Sequence, residues 1–169
     1  MRDLLVRYST PRWMFFYMGA FPIVMMLVAV FYFQHYLQLE PCPLCSIQRV
    51  FTIAIAVVGI IAFIHNPAKL GRRIYAAIAL IPALMGAGTS ARHIWLQSLP
   101  ADQVPGCGPG LDYLMEVFSL VEVLRQVLMG SGECAEVVWR FLGLSIPAWT
   151  MVAFLMLMAM QIFQLLRKG

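Results

Sequence analysis

Four stretches of this chain are long and apolar enough to cross a membrane, and no other feature limits the fold as strongly. About 17–25 apolar residues span a hydrocarbon core roughly 30 Å thick. The stretches run from about Trp13 to Tyr36, Leu44 to Ile64, Ile74 to Leu96 and Ile146 to Leu166. The first and last carry no charge, and the middle two each carry one arginine near an end, Arg49 and Arg92. Composition agrees, since 62% of the 169 residues are hydrophobic and only 12% are charged. A soluble domain carries about 25% charged residues, so lipid must be the solvent for much of this surface. Pro22, Pro82 and Pro147 sit in or beside the runs, where neighbouring helices re-satisfy the freed carbonyls. The expected fold is all-α: an antiparallel four-helix transmembrane bundle forming a single integral membrane domain over residues 1–169.

The first run is read as an uncleaved span. Arg2, Arg7 and Arg12 form a positive leader, but the apolar run is too long for a signal peptide and ends without a small-residue cleavage site. Basic residues then set the orientation. Arg2, Arg7, Arg12, Lys69, Arg72, Arg73, Arg167 and Lys168 fall on one side. The other side holds Arg125 and Arg140 with Glu40, Asp102, Asp112, Glu116, Glu122, Glu133 and Glu136. Both termini are expected in the cytoplasm, with loops 37–43 and 97–145 facing outward. The net charge of +4 thus reports topology and requires no nucleic-acid partner.

The second outer loop is too long to lack structure of its own. Leu111 to Leu128 reads as one amphipathic helix, with Leu111, Leu114, Phe118, Val121, Leu124 and Leu128 on a stripe. It is too charged to span. Two placements stay open: along the membrane surface, or packed on the ends of the bundle.

All four cysteines, Cys42, Cys45, Cys107 and Cys134, are expected on the outer side. In a bacterial inner membrane that side is oxidising, so disulfides can form there. Cys107 and Cys134 suit a structural staple, worth on the order of 3.5 kcal/mol in the chain-entropy model. Cys42-Pro43-Leu44-Cys45 is a CxxC. Half of a zinc site is the other reading of it, but a second closely spaced ligand pair is missing, and only His35 and His93 stand near. No metal is therefore expected. Pro41 and Pro43 delay the second helix until about Leu44, which puts Cys45 at its N-terminus. A helix N-terminus stabilises a thiolate. Arg49 lies one turn deeper and leans back toward Cys45. A charge inside a span is costly and marks function by default. Cys45 is expected to be a thiolate held by Arg49 and poised to pass electrons to something dissolved in the lipid.

These residues together resemble the DsbB family of bacterial inner-membrane quinone reductases, over almost the whole chain. Phe33-Gln34-His35, Pro41-Cys42-Pro43-Leu44-Cys45 and Arg49 are similar to the family's first outer loop. Arg92-His93 with Leu96-Gln97 is similar to its third-span end. Ser131-Gly132-Glu133-Cys134-Ala135-Glu136, Trp139, Phe141-Leu142-Gly143-Leu144, Pro147 and Trp149 are similar to the stretch before its fourth span. Gln48 departs from the pattern, standing where some members carry an acid.

The resemblance implies that Cys42–Cys45 is the quinone-linked disulfide and Cys107–Cys134 the partner-linked one. A reduced periplasmic DsbA-type oxidase would attack Cys107, Cys134 would attack Cys42, and Cys45 would become a thiolate facing ubiquinone or menaquinone. Arg49 would stabilise that thiolate and the reduced quinone, and His93 would line the quinone site. For His93 the alternative is an interfacial histidine bonded to a neighbour. Two other functions compete: a relative serving a different thiol partner, and a non-enzymatic assembly subunit with structural disulfides. A protein of the vitamin K epoxide reductase type is disfavoured, because its CxxC usually lies late in the bundle.

Overall fold

The structure is a computed structural model describing residues 10–100, 102–104, 106, 111–130 and 132–167. Four helices are long and apolar enough to cross a membrane. The first is α1 (Pro11–Leu27), which runs on into a π-helical stretch, Val28–Tyr36. The others are α2 (Pro43–His65), α3 (Lys69–Gln97) and α7 (Ile146–Leu166). Prolines open α1, α2 and α7 in the first turn, where the missing N–H has no partner to lose. Asn66, left-handed at φ 45°, closes α2. α3 begins at Lys69 instead of the expected Ile74. Hydropathy marks only the part that suits lipid, whereas the basic first turn of Lys69, Arg72 and Arg73 continues the same helix.

α1 packs on α2, α2 on α3, and α3 on α7, with a smaller contact of α7 on α1. The all-α four-helix bundle expected from sequence is the observed architecture. Its seams are made of small residues: Ala62, Ala76, Ala79, Ala83 and Ala87 are buried, while Phe31, Ile53, Ile61, Ile78 and Leu84 face outward. In lipid there is no hydrophobic drive between helices, so close backbone approach does the work. At the α1–α2 crossing a Cβ on Gly59 would stand 2.6 Å from the Gly19 nitrogen. At the α3–α7 crossing a Cβ on Gly86 would enter the Phe154 ring. The Gln164 Nε2 donates to the Pro11 carbonyl at 3.0 Å, fastening the end of α7 to the start of α1.

The outer loop corrects one expectation. The segment read as one helix from Leu111 to Leu128 is two, α4 (Leu111–Val117) and α5 (Leu120–Met129), broken at Phe118-Ser119. Ser119 is the reason: its N–H and its hydroxyl both donate to the Glu122 carboxylate, at 3.2 and 2.7 Å, and start a new helix. Those bonds hold the Glu122 carboxyl below the usual range. The cap therefore persists at neutral pH and is lost in acid, when the carboxyl takes up a proton. The buried face of α5 is also not the expected stripe. Val123 and Val127 pack against Leu44 and Leu96 at the bundle end, while Val121 and Leu128 are exposed. After α5 come the short helix α6 (Gly132–Ala135) and a hairpin of β1 (Arg140–Phe141) and β2 (Leu144–Ser145). Its two-residue turn has positive φ at Leu142 (51°) and Gly143 (81°), the form whose twist suits a tight hairpin.

Gly59→Val should lower unfolding stability by about 1–3 kcal/mol, because the α1–α2 backbones cannot part without losing their contact. Gly88→Ala, where an added Cβ meets nothing within 4 Å, should be neutral. Thermal unfolding in detergent, followed by circular dichroism, compares the two.

Candidate active site

The site begins with how α2 starts. Pro41 and Pro43 keep residue 42 extended, so Cys42 is the N-cap (φ −65°, ψ 162°) and Cys45 falls in the first turn. The Cys42 carbonyl accepts from the Ser46 N–H at 3.1 Å, as an N-cap should. The two cysteines stand as thiols, with Cys42 Sγ donating to Cys45 Sγ at 3.2 Å. The Nε2 of His93, from α3, lies 3.7 Å from Cys42 Sγ. His93 is 2% exposed, and its Nδ1 has no hydrogen-bond partner among the described residues. The two sulfurs and the imidazole nitrogen all lie within 4.8 Å of one another. His93 is thus a neighbour of the thiol pair.

Arg49 lies one turn further along α2 and lines the same cavity as Cys42, Cys45 and His93. Its hydrogen-bond partner is a residue that the sequence did not point to. Nη1 donates to Gln34 Oε1 at 2.8 Å, across to the π-helical end of the first span. Gln34 therefore aims the guanidinium, a role that sequence reasoning missed. A polar amide in an apolar run was the available signal. Gln48, 4% exposed, also lines the cavity, and its Nε2 has no partner among the described residues. The cavity holds about 860 Å³, between α1, α2, α7 and the outer loop. Phe33, Trp139 and Trp149 add aromatic surface to its mouth. The hairpin fixes that mouth: Trp149 Nε1 donates to the Phe141 carbonyl at 3.1 Å, and Trp139 stacks on Phe141.

Cys134 is buried, in a cluster with Leu44, Leu96, Val123 and Val127, against which Cys42 packs. The outer loop thus carries Cys134 to the side of the CxxC. Two contacts from the end of α3 hold it there. Arg92 Nε and Nη2 donate to the carbonyls of Leu128 (3.2 Å) and Met129 (3.0 Å), and the guanidinium stacks 4.1 Å from the Trp95 ring. Gly130, at φ 86°, turns the chain over Leu96 so tightly that a Cβ would strike it. Arg92 caps α5 and sets where α6 begins, which sequence read only as a charge near an end. Cys107, and the expected Cys107–Cys134 pairing, lie outside the described residues.

A thiol pair at a helix N-terminus, beside a cavity bounded by transmembrane helices, defines a membrane-embedded thiol protein. Its sequence matches the family described as Disulfide bond formation protein DsbB over residues 11–164. Similar proteins include Disulfide bond formation protein B of Nitrosococcus oceani, 51% identical over 158 residues that cover 94% of this chain and 93% of the relative. That of Saccharophagus degradans is 52% identical, covering 85% and 87%. That of Stutzerimonas stutzeri is 46% identical, covering 96% and 99%. The chain belongs to the DsbB family.

Arg92→Ala removes two charge-assisted bonds, together worth about 2–3 kcal/mol. Cys134 in the fully reduced protein should then be alkylated roughly tenfold faster or more, with the four spans intact. An unchanged rate, measured by mass spectrometry, would show that Arg92 does not hold the loop.

Proposed function

We propose that this chain re-oxidises a periplasmic DsbA-type dithiol oxidase and passes the two electrons to a membrane quinone. The observation that carries this reading is the cluster of Cys42, Cys45, Arg49, Gln48 and His93 around one cavity between the spans. The membrane would be a bacterial inner membrane with both termini cytoplasmic, as the basic residues favour. The DsbA–DsbB–quinone system is the established case of a compartment kept oxidising kinetically. DsbA is a strong oxidant, so its re-oxidation needs an acceptor of still higher potential that dissolves in lipid.

The residues fit such a ring. The cavity is large enough and largely apolar, and it is lined by Arg49 and by Gln48 and His93, whose buried Nε2 and Nδ1 have no partner among the described residues. A bound quinone supplies an acceptor for two electrons and two protons. The chain does the rest by disulfide exchange. A thiolate of the soluble partner attacks the Cys107 sulfur, and Cys134 leaves as a thiolate. Cys134 attacks Cys42, and Cys45 leaves as a thiolate at the start of α2. The partner's second thiol then closes on the mixed disulfide, releasing Cys107 and oxidised partner. Cys107 attacks Cys134 to restore their disulfide, and the Cys42–Cys45 dithiol holds the two electrons. The packing of Cys134 beside Cys42 supports the inter-loop step. Arg49 is placed to hold negative charge at Cys45 or at the quinone oxygens, with Gln34 fixing its direction. A redox-inert assembly subunit would leave a buried thiol pair, an imidazole and an arginine gathered around a cavity to no purpose.

Quinone reduction by reduced DsbA, with purified protein and each cysteine replaced by serine in turn, tests the relay. Each of the four variants should lose turnover by at least about a thousandfold, and sustained turnover in Cys107→Ser or Cys45→Ser would sink the scheme. Removing charge stabilisation in a low-dielectric site costs about 2–4 kcal/mol, so Arg49→Ala should slow quinone reduction by roughly 30-fold to 1000-fold. Gln34→Ala should reproduce part of that loss, and equal rates in Gln34→Ala and the parent would remove Gln34 from the account.

A further inference from the structure

The CxxC lacked a second ligand pair in sequence, which argued against a metal. Folding supplies a third donor from 51 residues away, His93, at 3.7 Å from Cys42 Sγ. Zinc bonds of about 2.3 Å to sulfur and about 2.0 Å to nitrogen fix the edges of a tetrahedral site. Two sulfurs stand about 3.8 Å apart in it, and sulfur and nitrogen about 3.5 Å. Here the sulfurs are 3.2 Å apart and the sulfur–nitrogen distance is 3.7 Å. No pair among the three atoms exceeds 4.8 Å. Each separation lies within about 1.3 Å of its tetrahedral edge. Thiolate and imidazole donors select soft or borderline cations over Mg²⁺ or Ca²⁺.

We propose that the reduced protein binds one thiophilic divalent cation, Zn²⁺ or Cd²⁺, through Cys42 Sγ, Cys45 Sγ and His93 Nε2, and that the bound ion blocks the thiol pair. The two thiol protons leave as the ion enters, and no electron moves. All three ligands line the cavity, so a fourth position stays open toward it. The oxidised pair offers no thiolate and does not bind. A ligating histidine usually gives its second ring N–H to an acceptor, and His93 Nδ1 has none among the described residues. The site is accordingly weaker than a structural zinc site and suits reversible inhibition. Its binding chemistry stands by itself, whereas its meaning as a brake on turnover rests on the function proposed above.

The test uses the full chain in detergent carrying Cys107→Ser and Cys134→Ser, which leaves one thiol pair. After reduction by a phosphine and anaerobic desalting, Cd²⁺ is titrated and the thiolate-to-cadmium charge-transfer absorption is recorded. Saturation at one Cd²⁺ per reduced chain, with no band from oxidised chain, is the expected result. Adding His93→Gln should weaken binding about tenfold or more. His93→Ala should do the same and recover with added free imidazole, which separates a lost ligand from a damaged fold. Unaltered affinity in both His93 variants, or saturation at one Cd²⁺ per two chains, would overturn the site. In the native four-cysteine chain, Zn²⁺ should halt quinone reduction reversibly, with a chelator restoring it. A chain that binds Cd²⁺ as described yet reduces no quinone would refute the function and keep the site; the reverse result would refute the site alone.

Discussion

Hydrocarbon offers a polar group no hydrogen-bond partner, and this constraint shapes every part of the molecule. The backbone answers it with helix. Polar side chains inside the bundle must find partners in the chain or in a ligand, since each one left alone costs several kcal/mol. Gln164 finds the Pro11 carbonyl, and Arg49 finds Gln34. Gln48 Nε2 and His93 Nδ1 find none among the described residues. Both belong to residues lining one cavity with two thiols. Unmet polar atoms that gather around a space, instead of scattering, are what distinguish a site from a packing defect. The Gln161 amide, buried with both ends unpartnered, is the contrasting case, because it lines no described cavity.

The bundle itself is held by close approach. Glycines at two crossings and alanines along the seams let the backbones meet, while large side chains turn outward. The cavity lies at the end of the bundle where α2 starts. Several contacts among the described residues tie the loop beside it to the spans. Arg92 grips the end of α5, Val123 and Val127 seat its buried face, and the hairpin anchors Trp149. These contacts hold Cys134 in the cluster against which Cys42 packs.

Much of this was legible in the residues. The four spans, the N-terminal position of Cys45 and the link of Arg49 to the same region follow from hydropathy, two prolines and helix spacing. Three things were not. The break at Ser119 arises because a local capping interaction outcompetes an apolar stripe that looked continuous. The Leu142-Gly143 turn lacks the usual Asn-Gly or Asp-Gly signature, so only the backbone reveals it. Arg92 read only as a charge near the end of a span, since its carbonyl partners lie 36 and 37 residues away.

What the sequence determined by itself was the solvent of each segment and the local start of each helix. Those depend on transfer free energies and on proline and capping rules, which act within a few residues. What tertiary structure decided was company: His93 beside Cys42, Gln34 under Arg49, Cys134 in the cluster that Cys42 joins. Such pairings join segments far apart in the chain, and no periodicity encodes them. They arise when helices pack at seams set by glycine and alanine, and the same packing leaves the cavity where the thiols meet it.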